Sequence, residues 1–255
     1  EADITALQET KISRDGLPES LAIVPGYDGF FAFSSRRSGY SGVVTYVSAE
    51  GRGTPVAAEE GLTGALTRSA VDEINIPIKV NQNDGRGGFS PRELDLEGRA
   101  VITQHAVLNE EGGELILDVV NVYCPRVDPD RPDRAAFKLA YLSALEVRVR
   151  SLIECGHVVI VLGDLNISHC LTDHCDGASL DAAEFNTRPD RLWLSRLLEE
   201  AEGGVRLWDA FRLRHPTRTE AFTCWNTKIG ARENNYGTRI DYILISHPNL
   251  IEDCD

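Results

Sequence analysis

The stretch Val158-Val159-Ile160-Val161-Leu162-Gly163-Asp164-Leu165-Asn166 constrains the fold of this chain more than any other. Its five consecutive aliphatic residues, four of them β-branched, predict a strand that is buried on both faces. Asp164 and Asn166 follow two residues apart, so their side chains project the same way from an extended backbone. A carboxylate and a carboxamide so placed can bind a hard cation, accept a proton or orient a water molecule. The same Gly-Asp-x-Asn sequence also suits an ordinary turn.

A hairpin and a long helix precede this strand in the predicted order of elements. Residues 99–107 and 115–123 predict two paired strands joined by a glycine-containing turn. Apolar residues then recur at helical spacing from Pro132 to Glu154, with a proline at the start and Gly156 just past the end. Because strands outnumber helices and the helices lie between groups of strands, the pattern favours an α/β sandwich of two packed sheets flanked by helices.

Shorter elements are predicted on either side of this central region. The sequence predicts a strand at residues 4–11, a helix at 17–24, strands at 29–33 and 43–47, a helix at 189–200, and strands at 221–226 and 239–246. Residues 50–93 are poor in periodicity and rich in glycine and polar residues, so we expect a long surface excursion there.

The composition bounds the class of protein. A chain of 255 residues with 42% hydrophobic and 26% charged residues is typical of a soluble globular protein, and no apolar run approaches the ~20 residues of a membrane span. The six cysteines are scattered without a disulfide framework, which favours a reducing intracellular compartment. The net charge of −14 argues against broad binding to a polyanion, although acidic residues that hold a metal also count towards it.

Polar residues stand at one end of several predicted strands, as if they shared a cleft: Glu9, Asn121, Tyr123, Asp164, Asn166, Arg239 and Asp241. Carboxylates, a carboxamide, a phenol and a guanidinium together suit the hydrolysis of a phosphodiester with a bound Mg²⁺ ion. Each residue also has a plainer interpretation. Glu9 could be a surface glutamate, Tyr123 a half-buried strand aromatic, and Arg239 with Asp241 a cross-strand ion pair.

Five motifs occur in a fixed order along the chain: Leu7-Gln8-Glu9-Thr10-Lys11, Gly39-Tyr40-Ser41-Gly42, Asn121-Val122-Tyr123-Cys124-Pro125, Gly163-Asp164-Leu165-Asn166-Ile167-Ser168-His169 and Arg239-Ile240-Asp241-Tyr242. This series resembles that of the exonuclease III-like apurinic/apyrimidinic (AP) endonucleases of the endonuclease/exonuclease/phosphatase superfamily. The resemblance implies a four-layer, DNase I-like α/β sandwich of two mixed sheets in one catalytic domain, residues 1–255.

Finer features are similar to those of the second eukaryotic type of AP endonuclease, among them residues 54–62, Ala221-Phe222-Thr223-Cys224-Trp225 and Asn235-Tyr236-Gly237. That type is known for 3′→5′ exonuclease and 3′-phosphodiesterase activity and for weaker incision 5′ of abasic sites. The resemblance implies Mg²⁺ as cofactor, which Mn²⁺ can replace. It also implies a DNA substrate with an abasic site, a nick or a recessed or blocked 3′ end.

The resemblance implies roles for individual residues. Glu9 is expected to hold the metal together with Asp164 and Asn166. Asp164 is also expected to activate the attacking water, and Asn166 to orient it. Tyr123 lies beside the scissile phosphate and Asp241 supports a catalytic histidine, while Asn121 belongs to the set that faces the phosphate.

Three further groups of residues receive expectations. The predicted DNA contacts are Arg36, Arg37, Tyr40, Arg126, Trp225 and Arg239, although a solvated turn would also explain the first three. His169, Asp173 and His174 are expected to support the Asp164 strand end from a neighbouring loop. A zinc site at His169, Cys170, His174 and Cys175 is an alternative, which the lack of a second pair at finger distance disfavours.

The chain also departs from the family pattern. It has neither the asparagine-bearing first strand nor the terminal Ser-Asp-His motif, so we expect a domain truncated at both ends. Thr238 stands where relatives often have an aromatic residue, and Arg126 where many have Asn or Gln.

The resemblance further implies a nuclear location, also mitochondrial, a sliding-clamp contact outside this chain, and no membrane partner. Two rival functions stay open: a superfamily phosphatase acting on inositol phosphates or RNA 3′ ends, and a catalytically impaired DNA-binding module.

Overall fold

Two β-sheets form the centre of the structure, a computed structural model that describes residues 2–66, 88–109, 112–127, 130–199, 206–252 and 254. The smaller sheet is antiparallel and has the strand order β1 (Ile4–Gln8), β3 (Val43–Ser48), β2 (Tyr27–Ala32). Strand β1 is therefore an edge strand within the described part of the chain. The edge of β1 that does not pair with β3 borders a groove, and residues of the larger sheet line the same groove.

The larger sheet has six strands and is mixed. In spatial order its strands are β4 (Gly53–Glu60), β5 (Ala100–Leu108), β6 (Glu114–Tyr123), β7 (Val158–Asp164), β11 (Asp241–Ile245) and β8 (Trp208–Asp209). Strands β6 and β7 are parallel, and the other neighbours are antiparallel. A separate two-stranded ribbon is formed by β9 (Cys224–Trp225) and β10 (Gly237–Thr238).

Helix α3 (Pro132–Glu154) connects the two parallel strands β6 and β7, because a parallel pair cannot be joined by a tight turn. Its buried face, which includes Tyr141, Leu145 and Leu152, packs in one cluster with Val159 and Val161 of β7. Burying these aliphatic and aromatic side chains fixes the helix on the sheet.

The remaining helices are short and lie between or beside the strand groups. They are α1 (Glu19–Ala22), α2 (Pro91–Asp95), α4 (Ala182–Asn186), α5 (Pro189–Leu198) and α6 (Ala210–Arg214). Helix α2 begins with a capping box in which the Ser90 side chain and the Glu93 side chain satisfy each other's backbone N–H groups. The predicted architecture, two sheets flanked by helices, is confirmed.

The helix predicted from Pro132 to Glu154 and the hairpin before it are also confirmed. The surface excursion predicted for residues 50–93 is wrong in part, since Gly53–Glu60 is a sheet strand and Pro91–Asp95 is helical; residues 67–87 lie outside the described residues. Strand β4 escaped prediction because Pro55 breaks its pattern. A sheet edge with a β-bulge between Pro55 and Ala57 tolerates that proline.

Several other elements are shorter than the sequence predicts, among them the strand predicted at residues 4–11, which is limited to Ile4–Gln8. The helix expected at 17–24 is limited to Glu19–Ala22, since Pro18 precedes it and Pro25 follows soon after. The strand expected at 221–226 is limited to Cys224–Trp225.

Asn121 joins the two sheets through its side chain. The residue is 0% exposed; its Oδ1 accepts a hydrogen bond from Gln8 Nε2 (2.8 Å) and its Nδ2 donates to the Val44 carbonyl (2.9 Å). Gln8 and Val44 belong to the smaller sheet, whereas Asn121 belongs to β6. The prediction that Asn121 faces a phosphate is wrong, because its amide is buried between the sheets and bonded on both sides.

Replacing Asn121 by alanine should therefore lower the free energy of unfolding by about 2–3 kcal/mol, because buried polar groups on the smaller sheet lose their partner. Urea unfolding followed by circular dichroism measures the loss. Asn186→Ala, at an exposed position in α4, is the matched control and should change stability by no more than ~0.5 kcal/mol. Equal effects of the two substitutions would contradict a bridging role for Asn121.

Candidate active site

Three polar side chains lie abreast on three neighbouring strands of the larger sheet. Tyr123 at the end of β6 pairs in register with Asp164 at the end of β7, and Asp164 pairs with Asp241 at the start of β11. Residues paired in register project from the same face of a sheet. The strand ends that the sequence marks as polar therefore meet at one rim.

Gly163 explains why a glycine must precede Asp164. Its φ of +122° lies outside the range of ordinary L residues, and a Cβ at this position would come within 2.2 Å of the Val122 carbonyl oxygen. Only glycine lets β7 approach β6 this closely. That approach sets Asp164 beside Tyr123.

Glu9 reaches the same rim from the smaller sheet. It follows β1 with φ +56°, a left-handed conformation that costs energy for a residue with a side chain. The next residues are held by backbone hydrogen bonds from Thr10 N to the Gly42 carbonyl (3.1 Å) and from Lys11 N to the Ser41 carbonyl (2.8 Å). The Glu9 carboxylate accepts a hydrogen bond from the Tyr123 hydroxyl and forms a largely exposed ion pair with Lys11 at 2.7 Å.

Asn166 holds the Asp164 carboxylate through two hydrogen bonds. Its backbone N–H donates to Asp164 Oδ1 (2.7 Å), and its Nδ2 donates to Asp164 Oδ2 (3.0 Å) and to the Cys124 carbonyl (2.9 Å). This geometry requires φ +52° at residue 166, a conformation that asparagine adopts more readily than most residues. Asn166 thus lies beside Asp164 and fixes the orientation of its carboxylate.

Lys138 of helix α3 secures Asn166 from below. The residue is 0% exposed, and its Nζ donates to the Asn166 carbonyl at 2.6 Å while pairing with Asp190 at 3.4 Å. Burial lowers the pKa of Lys138, and the Asp190 carboxylate opposes that shift. This role has no local signal in the sequence, because a lysine inside a helix usually marks a solvated face.

The electrostatics of the rim disfavour an ionised Asp164. Burial, with the neighbouring Asp241 carboxylate next in effect, raises the pKa of Asp164 to about 7. Burial likewise raises the pKa of Asp241, while a hydrogen bond from the Thr223 side chain acts in the opposite direction. Burial and the Glu9 carboxylate also raise the pKa of the Tyr123 phenol, so Tyr123 is a neutral hydrogen-bond donor at physiological pH.

The donor set of the rim fits a hard divalent cation such as Mg²⁺. Glu9, Asp164 and Asp241 supply carboxylate oxygens, and a cation beside Asp164 would relieve the unfavourable burial of its charge. The three carboxylates do not form a compact three-ligand cluster among the described residues. Mg²⁺ does not need one, because it usually takes one or two protein carboxylates and keeps several waters.

Arg99 is a supporting residue that the sequence reading missed. Although only 3% exposed, it donates to the Tyr123 carbonyl (2.9 Å), to the Tyr40 hydroxyl (2.7 Å) and to Glu97 (2.6 Å). Its guanidinium also lies 4.7 Å from the centre of the Tyr123 ring. Glu97 and Arg99 are oppositely charged and lie immediately before β5. This pattern could have indicated the role of Arg99, because opposite charges that flank a buried strand often face each other.

The predicted DNA contacts fall into two groups. Arg36, Arg37 and Arg126 are exposed, as a phosphate contact requires, and Trp225 is half-buried with Arg232 stacked 4.9 Å from its ring centre. Tyr40 is half-buried, and its hydroxyl contacts Arg99 and Glu97.

Arg239 does not belong with the DNA contacts. It is 2% exposed and binds Asp173 (2.9 Å) and Asp209 (2.7 Å), so the prediction of a DNA contact is wrong. Its Nε and Nη2 atoms donate to carboxylates from two other segments.

The loop after Asn166 contains the three residues predicted to support the site. Asp173 is buried and holds Arg239, and through it the start of β11. The His169 ring contacts Ser195 at 2.9 Å, and its backbone N–H donates to the Tyr242 hydroxyl at 3.1 Å. His174 accepts a hydrogen bond from the Asp176 N–H and has no recorded bond to Asp164 or Asn166, so its predicted supporting contact is absent from the described residues.

Comparison with known proteins agrees with this geometry. A family model described as "Endonuclease/Exonuclease/phosphatase family" matches residues 1–253. The chain belongs to this family. It is 45% identical over 252 residues to mouse DNA-(apurinic or apyrimidinic site) endonuclease 2, a match that covers 96% of this chain and 47% of the mouse protein. The human protein of the same name is 43% identical, with coverage of 96% and 46%.

Solved structures show the same relationship for this member of the endonuclease/exonuclease/phosphatase family. The Xenopus laevis APE2 catalytic domain superposes with a TM-score of 0.85 and 44% identity, covering 99% of this chain and 76% of that one. An AP endonuclease from Archaeoglobus fulgidus, 22% identical with a TM-score of 0.65, shares the fold; that match covers 99% of this chain and 79% of the other. The chain spans about half the length of the curated relatives it matches.

A groove opens beside the rim in this family member. Its volume is about 800 Å³, and it is lined by Gln8 of β1, by Gly163, and by Thr223 with Asp241. The groove thus connects the free edge of the smaller sheet to the row of polar side chains. Among the described residues, no helix is both long enough and apolar enough to cross a lipid bilayer.

The raised pKa of Asp164 makes a prediction about stability. Below the ordinary carboxyl pKa of 3.8 the residue is neutral whether the chain is folded or unfolded. As the pH rises towards 7 only the unfolded chain ionises freely, so stability is lost across this window. In EDTA, Asp164→Asn should therefore match the parent at pH 3.5 and exceed its free energy of unfolding by about 4 kcal/mol at pH 8.

Urea unfolding at a series of pH values measures this difference. Asp15→Asn is the matched control, since Asp15 is exposed, and it should show no such gain. A lower stability of Asp164→Asn at pH 8 would contradict the assignment of Asp164 as an unfavourably buried carboxylate.

Proposed function

We propose that this chain carries the catalytic centre of a Mg²⁺-dependent DNA phosphodiesterase of base excision repair, with Mn²⁺ able to replace Mg²⁺. The proposed reactions are incision 5′ of abasic sites and 3′→5′ exonuclease and 3′-phosphodiesterase removal of blocked 3′ ends. The observation that supports this most is the row Tyr123, Asp164 and Asp241, which Glu9 joins from the other sheet. The similarity to proteins named DNA-(apurinic or apyrimidinic site) endonuclease 2 supports the choice of DNA.

The proposed mechanism is hydrolysis by an activated water molecule. Glu9 and Asp164, with Asn166 beside them, would hold a divalent ion, which would neutralise charge at the phosphoryl oxygens. Asp164 accepts the proton of the attacking water, a task for which its place at the rim between Tyr123 and Asp241 suits it. Asn166 keeps the Asp164 carboxylate in place for that transfer.

Tyr123 and Asp241 have complementary parts in the proposed mechanism. The Tyr123 phenol stays protonated and donates a hydrogen bond to a phosphoryl oxygen, as neutral donors do at sites of developing charge. Asp241, fixed by Thr223, keeps a negative potential on Asp164 that favours proton uptake. Neither role requires either residue to be a nucleophile.

Replacing Asp164 by asparagine should lower the rate of 3′-phosphoglycolate removal by about 10²–10⁴-fold, because asparagine cannot accept the proton. Binding of the same DNA should survive, because the overall charge of the groove becomes less negative. A labelled duplex with a 3′-phosphoglycolate end measures the rate, and fluorescence anisotropy in Ca²⁺ or EDTA measures binding. Asp28→Asn, an exposed aspartate in β2, is the control and should keep full activity.

Retention of more than a few per cent of activity in Asp164→Asn would contradict its role as proton acceptor. The substrate panel separates the rival functions. It includes a duplex with an abasic analogue, a recessed 3′ end, an RNA 3′ end and soluble inositol phosphates, each with Mg²⁺, Mn²⁺ or EDTA. Turnover of inositol phosphates or RNA alone would overturn the choice of DNA, and DNA binding without turnover would indicate an impaired module.

The exposed arginines make a separate prediction about DNA binding. Arg37→Ala and Arg126→Ala should each weaken binding to all DNA sequences and lower the salt dependence of log K by about one unit, because each removes one phosphate contact. Arg52→Ala is the control. The Arg52 side chain is 94% exposed, and the residue follows the C-terminal end of β3. An equal change for Arg52→Ala would show that net charge, not position, decides the affinity.

The cellular setting follows from the proposed substrate. A DNA repair nuclease acts in the nucleus, and a mitochondrial share stays a prediction. Contact with a sliding clamp through residues outside this chain stays a prediction as well.

A further inference from the structure

Three consecutive residues in the loop after the catalytic rim bring different metal-binding groups together. His174, Cys175 and Asp176 each offer one ligand atom, and these atoms lie within 4.8 Å of one another. Among the described residues, they form the one group of three or more His, Cys, Asp or Glu side chains with this property. None of the three contributes to the proposed hydrolysis.

The backbone forces this convergence. The three residues lie between two 3₁₀ turns, Leu171–Asp173 and Gly177–Ser179, and a Cβ at Gly177 would meet the Leu171 carbonyl oxygen at 1.9 Å. The Cys175 N–H donates to the Gly237 carbonyl at 2.9 Å, which ties the loop to β10. The cluster is therefore held by the fold and not by a flexible tip.

The Asp176 carboxylate already has the support that a metal ligand needs. Tyr236 Oη donates to this carboxylate and lies 2.6 and 2.7 Å from its two oxygens. These bonds, with the Cys175 thiol nearby, raise the pKa of Tyr236 to about 12, so the phenol remains a donor at neutral pH. Carboxylate ligands of metals are commonly oriented by such a hydrogen bond.

We propose that His174, Cys175 and Asp176 bind a divalent cation of the zinc type. One nitrogen, one sulfur and one oxygen ligand match the preferences of Zn²⁺ and leave the fourth tetrahedral position for a water molecule. A cavity of about 450 Å³, lined by His174, Cys175 and Tyr236, opens directly onto the cluster and can supply that water. On binding, the Cys175 thiol loses its proton to solvent, and the His174 ring gives up the hydrogen bond that its Nδ1 accepts from the Asp176 N–H so that its one free lone pair binds the metal.

The thiol and imidazole ligands give this site a different metal preference from that of the catalytic rim. A hard ion such as Mg²⁺ prefers the oxygen ligands of Glu9 and Asp164, whereas a thiolate selects a softer ion. The set also differs from the zinc alternative raised by the sequence, because His169 contacts Ser195 and Cys170 contacts His169. Only His174 and Cys175 of that alternative belong to the cluster.

A metal at this position would fix the loop that contains His174, Cys175 and Asp176 against the strands beside the active site. His174 bridges to Thr238 of β10, and β10 pairs with β9. Thr223, just before β9, accepts hydrogen bonds from the N–H groups of Ile240 and Asp241 at 3.1 Å each. The loop is thus connected to Asp241 through β10, β9 and Thr223.

Cobalt and zinc binding to the reduced, EDTA-stripped protein test the proposal. Co²⁺ should produce a thiolate-to-metal absorption band in the near ultraviolet, and Zn²⁺ should abolish it with a stoichiometry of one. Competition with a chromophoric chelator should show at least a tenfold loss of Zn²⁺ affinity in Cys175→Ser and in His174→Gln. Tyr236→Phe, which keeps all three ligands, should lose about 10–100-fold through the unsupported carboxylate.

Two controls make each outcome decisive. Cys170→Ser and Cys224→Ser change exposed cysteines outside the cluster and should leave the cobalt band unchanged. Circular dichroism in EDTA checks that every variant is folded, and Tyr236→Phe serves if a ligand variant is not. A band that is absent, that persists in Cys175→Ser, or that disappears in Cys170→Ser or Cys224→Ser would overturn the proposal.

Discussion

The parallel pairing of β6 with β7 is the constraint on which the rest of the structure depends. It places Tyr123 and Asp164 in register although a whole helix separates them along the chain. The pairing requires the crossover helix α3, and it requires glycine at position 163 so that the two backbones can approach. Asp241 then joins by antiparallel pairing from the other side of β7. A one-residue slip of either pair would turn these side chains to opposite faces.

The geometry of the rim costs free energy of folding, through both its backbone conformation and its buried charge. Glu9 and Asn166 have positive φ angles, and Asp164 is buried beside another carboxylate. Such strain persists only where the surroundings hold it, and here Lys138 and the hydrogen bonds around Gly42 do so. The buried network of Arg99 with Glu97 fixes Tyr123 in the same way. A cation bound beside Asp164 would relieve the unfavourable burial of its charge.

Much of this arrangement could be predicted from the sequence, and the failures have physical reasons. The helix from Pro132 to Glu154 was predictable because periodicity, proline and glycine agree along its length. Polar residues at the strand ends predicted that Tyr123, Asp164 and Asp241 meet at one rim, and the strand register brings them together there. Asn121 was misassigned because strand periodicity shows which face a side chain occupies but not how deep it lies under the second sheet.

Buried charges were the other limit on prediction from the sequence. Arg239 looked like a phosphate contact, yet its carboxylate partners are 66 and 30 positions away along the chain. The role of Lys138 was not predicted for the same reason, since Asn166 is 28 positions distant. Pairings over such separations follow from the tertiary fold and leave no local pattern.

The free side of β1 has a consequence for the handling of this chain. Within the described residues β1 pairs only with β3, and the side chain of Leu7 is 48% exposed. Unpaired N–H and C=O groups along a strand are a ready template for the backbone of a second molecule. A charged or proline substitution on the outward side of β1 is the natural way to keep such an edge from adding a strand of a second molecule.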